Sequence, residues 1–251
     1  MRKKRKSSAM VLHQKYFQAA EIDLEAAKIL AKQNFFLPVL YHLQQAYEKC
    51  IKSYYIFRLT SKGVTEKRAD KKCKDLGHDT EEITIKLLAV VTQMDIDDMQ
   101  KARRKLTDPD DLRIIDNGLA AIKRFKESIG RMVTRNNLKI DYIKNVKNYP
   151  GVVRGLYDYN QSSSSSEIML RQPGQNSLLF DLAVITLYPS LYKMEEITRY
   201  PHDDFSYDNL NLLSTNMEKP CQYIIEMMED LFSLVKTACK QGGCNILNLP
   251  S

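Results

Sequence analysis

Apolar residues recur along this chain at steps of three and four, the period of an amphipathic helix. Phe17, Ala20, Leu24, Ala27 and Ala31 share one face of a predicted helix from about Val11 to Gln33. "NFFLP" interrupts that pattern, and a second helix is predicted from near Pro38 to about Thr60, since proline is tolerated in a first turn. Its buried stripe reads Leu40, Leu43, Tyr47, Cys50, Tyr54 and Phe57. Two long helices with so short a connection should pack as an antiparallel pair.

"TSKGVTEKRADKKCKDLG" reads as a polar, basic connection; its cations either touch phosphate or are simply solvated. The next helix opens at "HDTEEITIKLLAVVTQM". Asp79 is placed to cap it with Glu82 three residues on, and Ile83, Leu87, Val90 and Met94 form its stripe. "TDPDDLRII" marks another start, with Asp108 as cap, Pro109 in the first turn, and Asp110 and Asp111 complementing the helix dipole. Leu112, Ile115, Leu119, Ile122, Phe125 and Ile129 continue that seam.

Between Tyr149 and Ser177 the period is lost. "YPG", "QSSSSSE" and "QPGQNS" read as linker or loop. Tyr142, Tyr149, Tyr157 and Tyr159 lie in or near this stretch, beside Lys144, Lys147 and Arg154. They either stack on bases or pack on the body. "LLFDLAVITLYPSLYKMEEITRYP" resumes a helix expected to bend at Pro189 and to stop at Pro201. A last helix runs from about Glu218 to Lys240, before Gly242 and Gly243. No alternating strand series occurs, and 9 Gly, 8 Pro and no Trp suit a helical chain. The expected fold is all-α, an up-and-down antiparallel bundle.

Charge alters this picture little. The net charge is +7, but five of the 38 basic residues are Arg2, Lys3, Lys4, Arg5 and Lys6; the other 33 nearly balance 31 acidic ones. The basic character therefore belongs to a tail, which either meets anionic surfaces or only solubilises the terminus. The tail lacks the apolar core of a secretory signal. The apolar run from Leu182 to Tyr192 is too short to span a bilayer. A cytoplasmic protein without a membrane anchor is expected. Five scattered cysteines without a CxxC do not form a disulfide framework, and Cys50 and Cys221 sit in apolar patterns as buried small residues.

Catalytic signatures are sparse. The sequence has no P-loop, GxGxxG, HExxH or GxSxG. His13, His42, His78 and His202 are far apart, and the neighbouring acids Glu195 and Glu196 point apart on a helix. No cofactor and no metal is expected. What stands out is a polar stripe on the second helix: Gln45, Glu48 and Lys52, with Lys49 beside them.

The succession "AAEIDLEAAKILAKQNFFLPVLYHLQQAYEKCIKSYY", then "LGHD" at Leu76–Asp79, then "TRYPHD" at Thr198–Asp203, resembles the HEPN domain family (higher eukaryotes and prokaryotes nucleotide-binding). The matching residues are Gln45, Ala46, Glu48, Lys49 and Lys52, then Gly77, His78 and Asp79, then Arg199, Tyr200 and Pro201. The resemblance implies a helical bundle over 11–94 and 178–240, with 95–177 as an insertion carrying a helix near 109–135 and a Ser-rich loop. Residues 1–10 and 241–251 are then tails. It also implies a nucleotide or RNA ligand, a homodimer and a partner nucleotidyltransferase.

Lys49, Lys52, Arg199, Tyr200 and His202 are the implied ligand contacts. Gln45, Glu48, His78 and Asp79 are either site or scaffold, and Arg199 has Glu48 as an alternative partner. Nuclease members of the family use Arg, four to six residues, then His, and that spacing is missing here. A noncatalytic binding module is expected. The alternatives are a toxin-type, metal-independent endoribonuclease using Arg199 and His202, as in toxin–antitoxin systems, and a purely structural helical subunit.

Overall fold

The computed structural model describes residues 11–77, 80–134, 148–164, 175–191 and 216–240. Among these residues there are eight helices and no strands. They are α1 (Leu12–Lys32), α2 (Phe36–Ser61), α3 (Glu66–Lys74), α4 (Thr80–Arg103), α5 (Pro109–Thr134), α6 (Tyr149–Ser164), α7 (Gln175–Leu191) and α8 (Glu218–Lys240).

α1 and α2 form the expected antiparallel hairpin. The turn between them follows from backbone chemistry. Asn34 takes φ +62°, a conformation that asparagine tolerates better than most residues. Phe35 N–H then bonds Leu30 C=O at 3.1 Å, closing the end of α1. Gly63, at φ +81°, does the same for α2, where Val64 N–H reaches Leu59 C=O at 3.1 Å.

α2 is the hub. Its 26 residues extend about 39 Å, and it is buried on nearly every side by α1, α3, α4, α7 and α8. All six positions of its predicted stripe, from Leu40 to Phe57, are buried. Such all-round burial suits a helix at the centre of a bundle. Tyr54 lies against Phe180 of α7 with ring centroids 4.1 Å apart, and Tyr47 donates its hydroxyl to Val184 C=O.

Two stretches differ from the sequence reading. The connection after α2 contains a helix, α3, whose buried side chains are Ala69 and Cys73, both at 0% exposure. Two anchors in nine residues leave no visible stripe. The linker expected from Tyr149 is helical as far as Ser164. Pro150 fits a first turn, and Tyr149, Val153 and Asn160 share a buried face despite Gly151 and Gly155.

The segment 95–177 divides in space. Ile96, Met99, Ala102, Ile115, Leu119 and Ile122 make a small separate core where α5 lies along the end of α4. α6 instead packs on α7 and α8, inside the main core. The predicted cap of α5 is present: Asp108 Oδ1 accepts Asp110 N–H at 2.8 Å and Asp111 N–H at 3.2 Å. α8 occupies the predicted range, and Cys50 and Cys221 are buried free thiols.

Candidate functional site

The polar stripe of α2 is turned toward its own neighbours. Glu48 and Lys52 are each only 5% exposed. One helical turn apart, they pair, with Lys52 Nζ 2.6 Å from Glu48 Oε1. Lys52 also donates to Gly77 C=O at 2.7 Å. Gly77, at φ +74°, ends the turn after α3, directly before His78 and Asp79. A buried lysine is tolerable when its donors are matched this way, and here it ties α2 to the turn that leads into α4.

Lys49 leans the other way and forms an ion pair with Asp23 of α1. The same carboxylate accepts from His42, whose Nδ1 is 3.0 Å away. Lys49 keeps about a third of its side chain exposed, and Gln45 is half-buried. Near Lys52, burial pushes the Tyr16 hydroxyl up to about 12 and the Cys73 thiol up to about 11. Both are protonated at neutral pH, so Cys73 is no nucleophile.

A second polar group lies deeper, and sequence reasoning missed it. Arg58 of α2 is 2% exposed, and its Nη2 is 2.6 Å from Asp95 Oδ1 of α4. Its Nη1 donates to the Tyr54 hydroxyl at 3.1 Å. Asp98, 3.5 Å from Arg58, also binds Lys62. Asp181 of α7 is 1% exposed beside this pair. Burial, and then the charge of Asp95, hold its carboxyl well above the ordinary carboxylate range, while Arg58 and the Thr92 hydroxyl pull it back. The available signal was one charge inside an otherwise apolar run, in "YYIFRLT" and again in "LLFDLAV".

A cavity of about 510 Å³ opens where the start of α1 meets the end of α8, lined by His13, Phe17, Glu21, Lys236 and Cys239 among others. Lys236 lies 3.7 Å from Glu21 across it. Burial lowers the His13 imidazole, against a weaker pull from Glu66, and raises the Cys239 thiol to about 11. The Cys239 thiol is therefore protonated at neutral pH.

Of the sequence-predicted residues, the structure thus brings Glu48 and Lys52 together beside Gly77 and sends Lys49 to Asp23. His78, Asp79, Arg199, Tyr200 and His202 lie outside the described residues. No cluster of His, Cys, Asp or Glu among the described residues is arranged to hold a metal ion. No described helix is long and apolar enough to cross a membrane.

The fold and the paired polar stripe define an all-α helical bundle built around one central helix. The family model of the HEPN domain matches residues 13–115. The match takes in α1 to α4, the whole polar stripe, and the start of α5. No curated protein matches the chain, and neither does any solved structure.

Proposed function

We propose that the protein is a noncatalytic binding module for nucleotide or nucleic acid that acts as a dimer. The observation that carries this reading is the HEPN match over residues 13–115, which contains the stripe Gln45, Glu48 and Lys52 and the neighbouring Lys49. In this reading Arg199, Tyr200 and His202 contact the ligand, with Lys49 at the rim. Lys52 acts from behind, because its bond to Gly77 C=O positions the backbone that continues into His78 and Asp79. The missing Arg-(four to six residues)-His spacing argues against in-line RNA cleavage, which needs a cation on the phosphate and a group to move the 2′-hydroxyl proton.

The test is equilibrium binding of labelled ATP and of a mixed-sequence RNA to the full chain and to Arg199→Ala. Light scattering supplies the oligomeric state. Tight binding weakened at least tenfold by Arg199→Ala, without strand scission, is expected. Metal-independent RNA cutting lost in both Arg199→Ala and His202→Ala would replace this reading with the ribonuclease. Absence of any binding would leave a structural subunit.

A further inference from the structure

α3 is a second feature that its own fold does not explain. Nine residues carry five cations against two carboxylates, and both carboxylates are engaged. Glu66 accepts Leu12 N–H at 3.3 Å, and Asp70 pairs with Lys74 at 2.7 Å. Lys67, Arg68, Lys71 and Lys72 are exposed, and none forms an ion pair among the described residues. They stand as two like-charge pairs at i, i+4, an arrangement that opposes helix formation. On α1, just past α2 and on α5, by contrast, Lys28, Lys62 and Arg113 each meet a carboxylate.

We propose that the exposed face of α3 binds the phosphodiester backbone of a polynucleotide. Each i, i+4 pair advances about 6 Å along the helix, so the four cations form a short double row suited to a line of phosphates. The apolar residues of α3, Ala69 and Cys73, face the core, so the helix offers a bilayer charge but no insertion. Leu12, bonded to Glu66, fixes the start of α1 at the first turn of α3. Past its end, α3 leads to Gly77, whose carbonyl accepts from Lys52 of the α2 stripe. The inference rests on the functional reading proposed above and names its ligand as a polymer rather than a free nucleotide.

The experiment measures binding of a fluorescein-labelled 20-nucleotide RNA, and of DNA of the same sequence, between about 50 and 200 mM salt. Wild type is compared with the variant Lys67→Gln/Arg68→Gln/Lys71→Gln/Lys72→Gln, each in the full chain and in a chain lacking residues 2–8. Four lost phosphate contacts should reduce the slope of log K against log salt by about 3. Wild type then loses about 50-fold more affinity than the variant across that range. Lys67→Gln/Lys71→Gln and Arg68→Gln/Lys72→Gln should each remove about half of the slope change, which keeps the test intact if the fourfold variant fails to fold.

Equal slopes in wild type and the α3 variants overturn the proposal, as does an equal loss in the control Lys32→Gln/Lys219→Gln. RNA bound and DNA not, or both bound, each support it, and they distinguish the source of the phosphates. Binding to phosphatidylserine vesicles without binding to either oligonucleotide overturns it. ATP bound but no oligonucleotide bound defeats this inference alone; no ligand bound at all defeats the functional reading as well.

Discussion

Replacing Asp181 by asparagine should stabilise the protein, increasingly so as pH rises. Asp181 shares the core with Asp95 and one guanidinium, Arg58, already 2.6 Å from Asp95. Two buried carboxylates against one buried cation would leave a net negative charge inside the bundle, and Asp181 Oδ1 has no hydrogen-bond donor of its own among the described residues. Burial first, and the charge of Asp95 second, therefore keep Asp181 protonated in the fold. In the unfolded chain it ionises at about 3.9. The sign follows: folding takes up a proton above that pH. The stability contribution is complete below the unfolded pKa and is lost as pH rises toward the folded one. Each pH unit in that window costs about 1.4 kcal/mol. An asparagine has the shape of the neutral acid and does not titrate. Urea unfolding of wild type and Asp181→Asn at pH 4, 5, 6 and 7, at fixed ionic strength, isolates this group, because all other titrations cancel in the difference. The variant's advantage should be flat below about pH 4 and then climb by up to about 1.4 kcal/mol per unit. A pH-independent difference would mean that Asp181 is ionised in the fold, and the argument from burial would be wrong.

Three further outcomes follow from the packing. Lys52→Met removes the cation paired with buried Glu48 and the donor to Gly77, so a loss of about 3–5 kcal/mol is expected in urea unfolding; the double variant Glu48→Leu/Lys52→Met should recover most of it. Gly77→Ala forces a side chain to φ +74°, and since no atom of the described residues beyond its chain neighbours lies within 4 Å of the added Cβ, the cost is torsional, about 1–2 kcal/mol, with Gly77→Asn costing less. Ile115→Ala should cost about 2–5 kcal/mol, felt mainly in the small core. Hydrogen exchange should accelerate across 96–103 and 109–134 while α1, α2 and α8 keep their protection, and uniform acceleration would contradict the separate core.

The parts of this fold that could be read from sequence are those where one side chain per turn is apolar. α1, α2, α5 and α8 announce themselves by spacing, and Asp108 and Pro109 mark the start of α5 from local chemistry alone. α3 stayed hidden because Ala69 and Cys73 suffice to hold so short a helix. α6 stayed hidden because Pro150, Gly151, Gly155 and the serines resemble loop chemistry while tertiary contacts keep the helix formed. The candidate site divides in the same way. The pairing of Glu48 with Lys52 follows from i, i+4 geometry, but its coupling to Gly77 joins residues 25 apart. Arg58 and Asp181 meet only because α2, α4 and α7 cross, and no local pattern encodes a crossing.

The same logic gives the helices beyond the family match their role. The match ends at residue 115, inside α5, yet α2 is not a finished core helix at that point in the chain. Tyr54 rests on Phe180, the Tyr47 hydroxyl is satisfied by Thr84 and Val184, and the Arg58–Asp95 pair is sealed beside Asp181. Each of these contacts uses a residue of α7 that lies outside the matched stretch, and α8 covers another side of α2. A buried guanidinium and two tyrosine rings left without that cover would be open to water, with loss of both apolar burial and charge pairing. The later helices are therefore structural partners of the matched stretch, and the side chains of α2 are positioned by helices from both sides of residue 115.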